Sequence, residues 1–99
     1  MALMEISVVP VGTGSPSIGD YVAAAHRIAV ESGLPHLLGE FGTVLEGEPD
    51  ELLALAARIH AAPFAAGAKR VVTTIKLDQR TDKEVHLGDK AAAVQRRLE

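Results

Sequence analysis

The side chains with the most chemistry in this sequence lie in three short stretches. The run "GEFGTVLEGEPDE" carries Glu46 and Glu48 beside a hydroxyl, Thr43. Alternation along a strand puts Thr43 and Leu45 on one face and Val44 and Glu46 on the other, with Glu48 at the entry to a helix. A carboxylate beside an apolar sheet face holds a cation, or pairs with the ring nitrogen and amino group of an aminopyrimidine. The simpler alternative is that both acids merely favour a helix N-terminus. A second stretch, "VVPVGTGSPS", ends in Gly12, Thr13 and Gly14. Backbone amides ahead of a helix bind anions, but this loop lacks both the Gly-Lys-Ser/Thr ending of a Walker loop and the third glycine of a dinucleotide loop. It reads as a strand-to-helix turn, with contact to a ligand left open. The third stretch is the polar last strand, "KRVVTTIKLD".

Other chemistries find less support. His26, His36, His60 and His86 form no HxH, HxxxH or HExxH pair, so no metal site is expected. Ser7, Ser15 and Thr43 have no base close in sequence. The chain contains no cysteine, which removes disulfides and thiol catalysis. It also contains no asparagine, and its first loop no arginine, the residues an acyl-phosphate hydrolase of this size would need. No catalytic role, no metal and no cofactor is expected.

The elements that must position these residues follow from hydrophobic periodicity. A strand from Leu3 to Val11 puts Met4, Ile6, Val8 and Pro10 on one face and Glu5, Ser7, Val9 and Val11 on the other. Ser17 reads as the N-cap of a helix with Asp20 three residues on, an apolar stripe of Ile18, Val22, Ala25, Ile28 and Ala29, and Gly33 just past its end. Two short strands reverse at "GEFG". A second helix starts at Pro49 with Asp50 and Glu51 at its positive end, buries Leu52, Leu55, Ala56 and Ile59, and meets Pro63, where a bend or a weakened last turn is expected. A strand over Lys69–Asp78 and a short helix from Gly88 close the chain. This βαββαβ order over residues 1–99 predicts one α+β domain: a ferredoxin-like sandwich with a four-stranded antiparallel sheet, two helices on one face and a short C-terminal helix.

Composition bounds the partners. Nearly half of the 99 residues are hydrophobic but only 3% are aromatic, so the core must be built from small aliphatic side chains and is thin. The open sheet face, carrying Val9 and Val11, predicts homo-oligomers, dimers or tetramers, through packed sheet faces. A net charge of -3 argues against nucleic acid or an anionic membrane and suits a cationic or neutral small ligand. No apolar run approaches membrane-spanning length, "MALMEISVV" is too short for a signal peptide, and a cytoplasmic location is expected.

The phrases "EISVVPVGTGSPSIGDYV", "GEFGTVLEGEPDE" and "GAKRVVTTIKLDQRTDK", in that order and spacing, resemble the small thiamine-binding protein family. The resemblance implies a ferredoxin-like fold, assembly into dimers and tetramers, and binding of thiamine or its hydroxymethyl aminopyrimidine portion without catalysis. By position it implies ligand-binding roles around Ser7, Gly12, Thr13, Gly14, Gly42, Thr43, Glu46, Thr73, Thr74 and Lys76. The chain departs from the family's usual pattern at Pro63, and at Glu40 and Phe41 in the hairpin turn, where a proline and a methionine are more frequent. With only Tyr21, Phe41 and Phe64 as aromatics, stacking on a pyrimidine needs one of these or a partner subunit's residue.

Two rival classes stand beside the ligand-binding reading. That reading predicts a discrete pocket with Glu46 or Glu5 partnered to a polar group. A purely structural or regulatory oligomer predicts those carboxylates in ion pairs between subunits, across a dry interface. A small hydrolase predicts a Ser or Thr within hydrogen-bond reach of His26, His36, His60 or a carboxylate.

Overall fold

A computed structural model describes residues 1–99. The chain runs β1 (Ala2–Pro10), α1 (Gly19–Glu31), β2 (His36–Leu38), β3 (Thr43–Gly47), α2 (Pro49–Ala65), β4 (Val71–Gln79) and α3 (Asp89–Leu98). The four strands form one antiparallel sheet in the order β2-β3-β1-β4, the α+β ferredoxin-like arrangement that the element order predicts.

The period-2 pattern of β1 decides which face is covered. Ala2, Met4, Ile6, Val8 and Pro10 are buried under the helices. The first four form one core with Ala25 and Ala29 of α1 and Leu52, Leu55, Ala56 and Ile59 of α2. No aromatic residue belongs to that core, so its stability comes from many small contacts. The other face carries Glu5, Ser7 and Val9 of β1 opposite Lys76, Thr74 and Val72 of β4.

Helix ends depart from the sequence reading in two places. α1 begins at Gly19 with Ile18 as its N-cap and no side-chain cap, because the Ser15 hydroxyl accepts from the Ser17 N–H and holds that residue in the preceding turn. Gly33 follows the helix at φ +76°, the left-handed position a glycine suits. α2 runs on through Pro63 to Ala65. The proline sits in the last turn and its ring is fully buried, so packing offsets the one hydrogen bond it cannot donate.

Two parts of the chain remain thinly covered. α2 shields β4 only as far as Thr73, leaving Ile75 and Leu77 exposed on the helix side. α3 buries no residue and is tied back to the sheet by the Lys90–Asp78 ion pair.

Candidate functional site

The site arises where a strand stops. β1 is paired with β4 along its whole length, from Ala2 to Pro10, but with β3 only from Ala2 to Ile6, where Ile6 meets Thr43. Continuing that register would set Gly42 opposite Ser7 and Phe41 opposite Val8. The chain has instead turned away: Gly39 to Gly42 form the β2–β3 reversal, closed by a 2.9 Å bond from the Gly39 N–H to the Gly42 carbonyl. The edge of β1 from Ser7 to Pro10 therefore faces no strand on that side.

A cavity of about 280 Å³ fills the gap. Its floor is Ile6, Val8 and Ile59, its helical wall is Ile18, Val22, Ala25, His26 and Ala29 of α1, and its lip is the segment Leu38–Thr43, with Ser7 and Val9 on the β1 side. Most of the lining is aliphatic. Phe41, on the lip, is 88% exposed and so has a ring free to cover a flat ligand. Gly42 keeps the lip seated on β1, because a Cβ there would lie 2.7 Å from the Ile6 carbonyl oxygen, closer than van der Waals contact permits.

The polar side chains at the cavity are Ser7, His26, Glu40 and Thr43. Thr43 is only 7% exposed, and its Oγ1 shares a 3.1 Å hydrogen bond with His26 Nδ1. The His36 ring stands edge-on to His26, with centroids 5.8 Å apart. The Glu40 carboxylate is exposed and makes no ion pair with the protein. No lysine or arginine lines the cavity, and no three His, Asp or Glu side chains converge anywhere as metal ligands would.

Of the ten residues implied by the resemblance, Ser7, Gly42 and Thr43 border this cavity. Gly12, Thr13 and Gly14 lie in the loop after β1, outside the lining. Gly12 and Gly14 take φ +76° and +81°, and the Thr13 hydroxyl donates to the Ser15 carbonyl at 3.1 Å, so the glycines serve the bend itself. Thr73 faces α2 and shares a 2.6 Å hydrogen bond with His60 Nδ1. Thr74 and Lys76 are exposed on the open sheet face, opposite Ser7 and Glu5.

Glu46 is engaged elsewhere. It emerges on the open face, 7% exposed, where its Oε1 accepts a 2.7 Å bond from the Leu87 N–H and its Oε2 lies 3.2 Å from His86 Nδ1. The Leu87 amide is the main reason the carboxyl is held below its ordinary range, with burial opposing and His86 adding to the effect. The same contact holds the imidazole of His86 above its ordinary value. Glu46 is thus a clasp for the segment leading into α3. Sequence spacing missed His26 as a cavity residue. The signal was its place four residues after Val22, on the flank of the buried stripe, where a side chain reaches the rim of the sheet.

Comparison with known proteins agrees with this architecture. The family model for the thiamine-binding proteins matches residues 4–95. Protein YqgV of Bacillus subtilis is 36% identical over 103 residues, covering 100% of this chain and 99% of the relative. A Methanothermobacter thermautotrophicus relative is 37% identical over 99% of this chain and all of its own. Among solved structures, protein MJ1052 of Methanocaldococcus jannaschii superposes with a TM-score of 0.87 at 32% identity over 95% of both chains. A Thermotoga maritima protein named for thiamine biosynthesis/salvage gives 0.80 at 21% identity, over 94% of this chain and 97% of its own, a likeness of fold. Matched almost from end to end, the chain belongs to the thiamine-binding protein family.

Proposed function

We propose that this protein binds thiamine, or the hydroxymethyl aminopyrimidine portion of it, without chemistry, in the cavity between β1, α1 and the β2–β3 turn, and does so as a homo-oligomer. The observation that carries the reading is the cavity itself: aliphatic walls for a flat ring, a threonine–histidine pair and a serine to meet its polar edge, and the free Glu40 carboxylate near a thiazolium cation. With no lysine or arginine in the lining, nothing balances a diphosphate, so the free vitamin is preferred over the coenzyme. The thiamine-salvage name of the Thermotoga maritima neighbour is in keeping with this role.

Oligomerisation is supported by exposed aliphatic surface. Val9 faces Val72 on the open face with Val11 beside them, all three exposed. α3, only ten residues long with nothing buried, is marginal as a helix unless a second copy covers it. A Val72→Lys variant should run at a smaller mass than wild type in light scattering; an unchanged mass would move the interface away from this face.

One observation favours a hydrolase: Thr43 lies within hydrogen-bond reach of His26. Two features weigh against it. No carboxylate orients the imidazole from its other nitrogen, and the same pairing recurs in Thr73–His60, away from the cavity lining. Turnover of a p-nitrophenyl ester abolished by Thr43→Val would revive that reading.

Isothermal titration with thiamine, thiamine diphosphate and hydroxymethyl aminopyrimidine tests the proposal. Saturable heat for thiamine and for the pyrimidine, with the diphosphate weaker, is expected. No heat from any of the three would leave an oligomer without a small ligand.

A further inference from the structure

We propose that the outer edge of β4 takes a second copy of this chain, paired strand to strand about a two-fold axis at Leu77, with Lys76 of each copy facing Asp78 of the other. This interface is separate from packing between open faces and from the ligand cavity. The sheet has two edges, β2 with three residues and β4 with nine. Sheet edges are ordinarily protected by shortness, proline, a bulge or a covering element. β4 has none of these. Its register with β1 runs unbroken from Val71 to Gln79 with no proline or glycine, and Thr74 to Gln79 are all exposed. α3, tied to β4 by the Lys90–Asp78 ion pair, buries no residue of its own.

The backbone shows which groups the edge offers. The Val11 N–H donates to the Arg70 carbonyl at 2.8 Å, so Val11 and Arg70 are a hydrogen-bonded pair of the β1–β4 ladder. Alternation then turns the N–H and C=O groups of Val72, Thr74, Lys76 and Asp78 toward β1, and those of Thr73, Ile75, Leu77 and Gln79 outward. No strand lies beside them.

The side chains select the occupant. On the open face a cation and an anion, Lys76 and Asp78, stand two residues apart, and Lys76 makes no ion pair within the chain. An antiparallel copy centred on Leu77 sets Lys76 opposite Asp78 twice and Ile75 opposite Gln79. Leu77, whose backbone points outward, then forms a hydrogen-bonded pair with its counterpart. Both Lys76–Asp78 pairs fall at non-hydrogen-bonded positions, where side chains come closest. Centring on Ile75 instead would put Lys76 opposite Thr74 and Asp78 opposite Val72, leaving both charges unmatched. The helix side agrees. Ile75 and Leu77 are exposed there, and so is Leu53 of α2, seven residues before the His60 that reaches Thr73. Pairing joins these aliphatic groups of both copies into one strip between the two α2 helices. The cavity stays open, because it lies on the β3 side of β1.

The chain has no cysteine, so single cysteines read the register directly. Under mild oxidation Leu77→Cys should form a disulfide dimer, since Cα atoms of a hydrogen-bonded pair lie about 5.5 Å apart. Ile75→Cys, about 13 Å from its counterpart, should not. Lys76→Asp and Asp78→Lys each oppose like charges at both positions and should weaken self-association about tenfold in sedimentation. The double variant, with the charges exchanged, should recover it. A thermal melt of each variant checks folding. Val72→Lys, outside the paired rungs, should leave the Leu77→Cys disulfide intact, which separates this edge from an open-face interface. A wild type that sediments as a monomer, preferential cross-linking of Ile75→Cys, loss of the Leu77→Cys disulfide in the Val72→Lys background, or a double variant as weak as the single ones would each overturn the pairing. None of these readouts involves thiamine, so failure here leaves the binding proposal standing.

Discussion

Two histidine–threonine pairs brace the helices of this protein to its sheet, and only one of them borders the cavity. His26 on α1 holds Thr43 at the start of β3, and His60 on α2 holds Thr73 on β4, each through Nδ1 and on the helix-facing side of the sheet. The bonds are alike; the neighbourhoods differ. Thr73 lies opposite Val8 in a continuous ladder, and its histidine is capped by Phe64, with rings 5.4 Å apart. Thr43 is the last rung of its ladder, and past it β1 has no partner on the β3 side. The lesson is that a common structural brace comes to border a cavity when the strand beside it ends.

The comparison is most easily broken at Gly42. A methyl group there meets the Ile6 carbonyl oxygen at 2.7 Å, and neither group is a flexible side chain. Gly42→Ala should displace the lip, lower stability by about 1–3 kcal/mol, and abolish measurable thiamine binding; a melt and a titration read both effects.

Thr43→Val and Thr73→Val sharpen the contrast. Each leaves a histidine nitrogen without its partner and should cost about 1–2 kcal/mol in urea unfolding. Their effects on ligand should separate: roughly tenfold weaker binding for Thr43→Val, and wild-type affinity for Thr73→Val.

The smallest effect concerns the clasp on the other face. His86 is held above its ordinary value of 6.5 by the hydrogen bond and charge of Glu46, with Glu84 and Asp89 adding to it. Its contribution is complete below that ordinary value and is lost as pH rises through the raised one. Glu46 is held below its ordinary value of 4.5, so its contribution is complete above that value and is lost as pH falls through the lowered one. Between those limits the Leu87 amide should be best protected from hydrogen exchange, after correction for intrinsic rates. At pH 9 protection should fall modestly in wild type, and in Glu46→Leu, which has no acceptor for the Leu87 amide, it should be low throughout, with thiamine affinity unchanged in both.

How much of this was legible in the sequence follows from the range of each interaction. Strand alternation and helical stripes are local, so β1, the two main helices, the glycine-marked reversal and the order of elements along the chain could be read directly. The face of each β3 residue was legible too: Thr43 was correctly separated from Glu46. What each face meets was not legible. Glu46 finds its partner 41 residues away at Leu87, and the cavity exists because on β1 one register ends four residues before the other. Neither leaves a local mark. The capping role assigned to Ser17 failed for a related reason, since a competing hydroxyl two residues back took its amide.

The measurement that bears most directly on the central claim is an amide ¹H–¹⁵N spectrum of the protein titrated with thiamine. Shifts should concentrate at Ser7–Val9, Val22–His26 and Leu38–Thr43 while Leu87 and the β4 amides beyond Thr74 stay still. Shifts centred on Glu46, His86 and Leu87, or on the open face of β4, would contradict a ligand site in the gap beside β1.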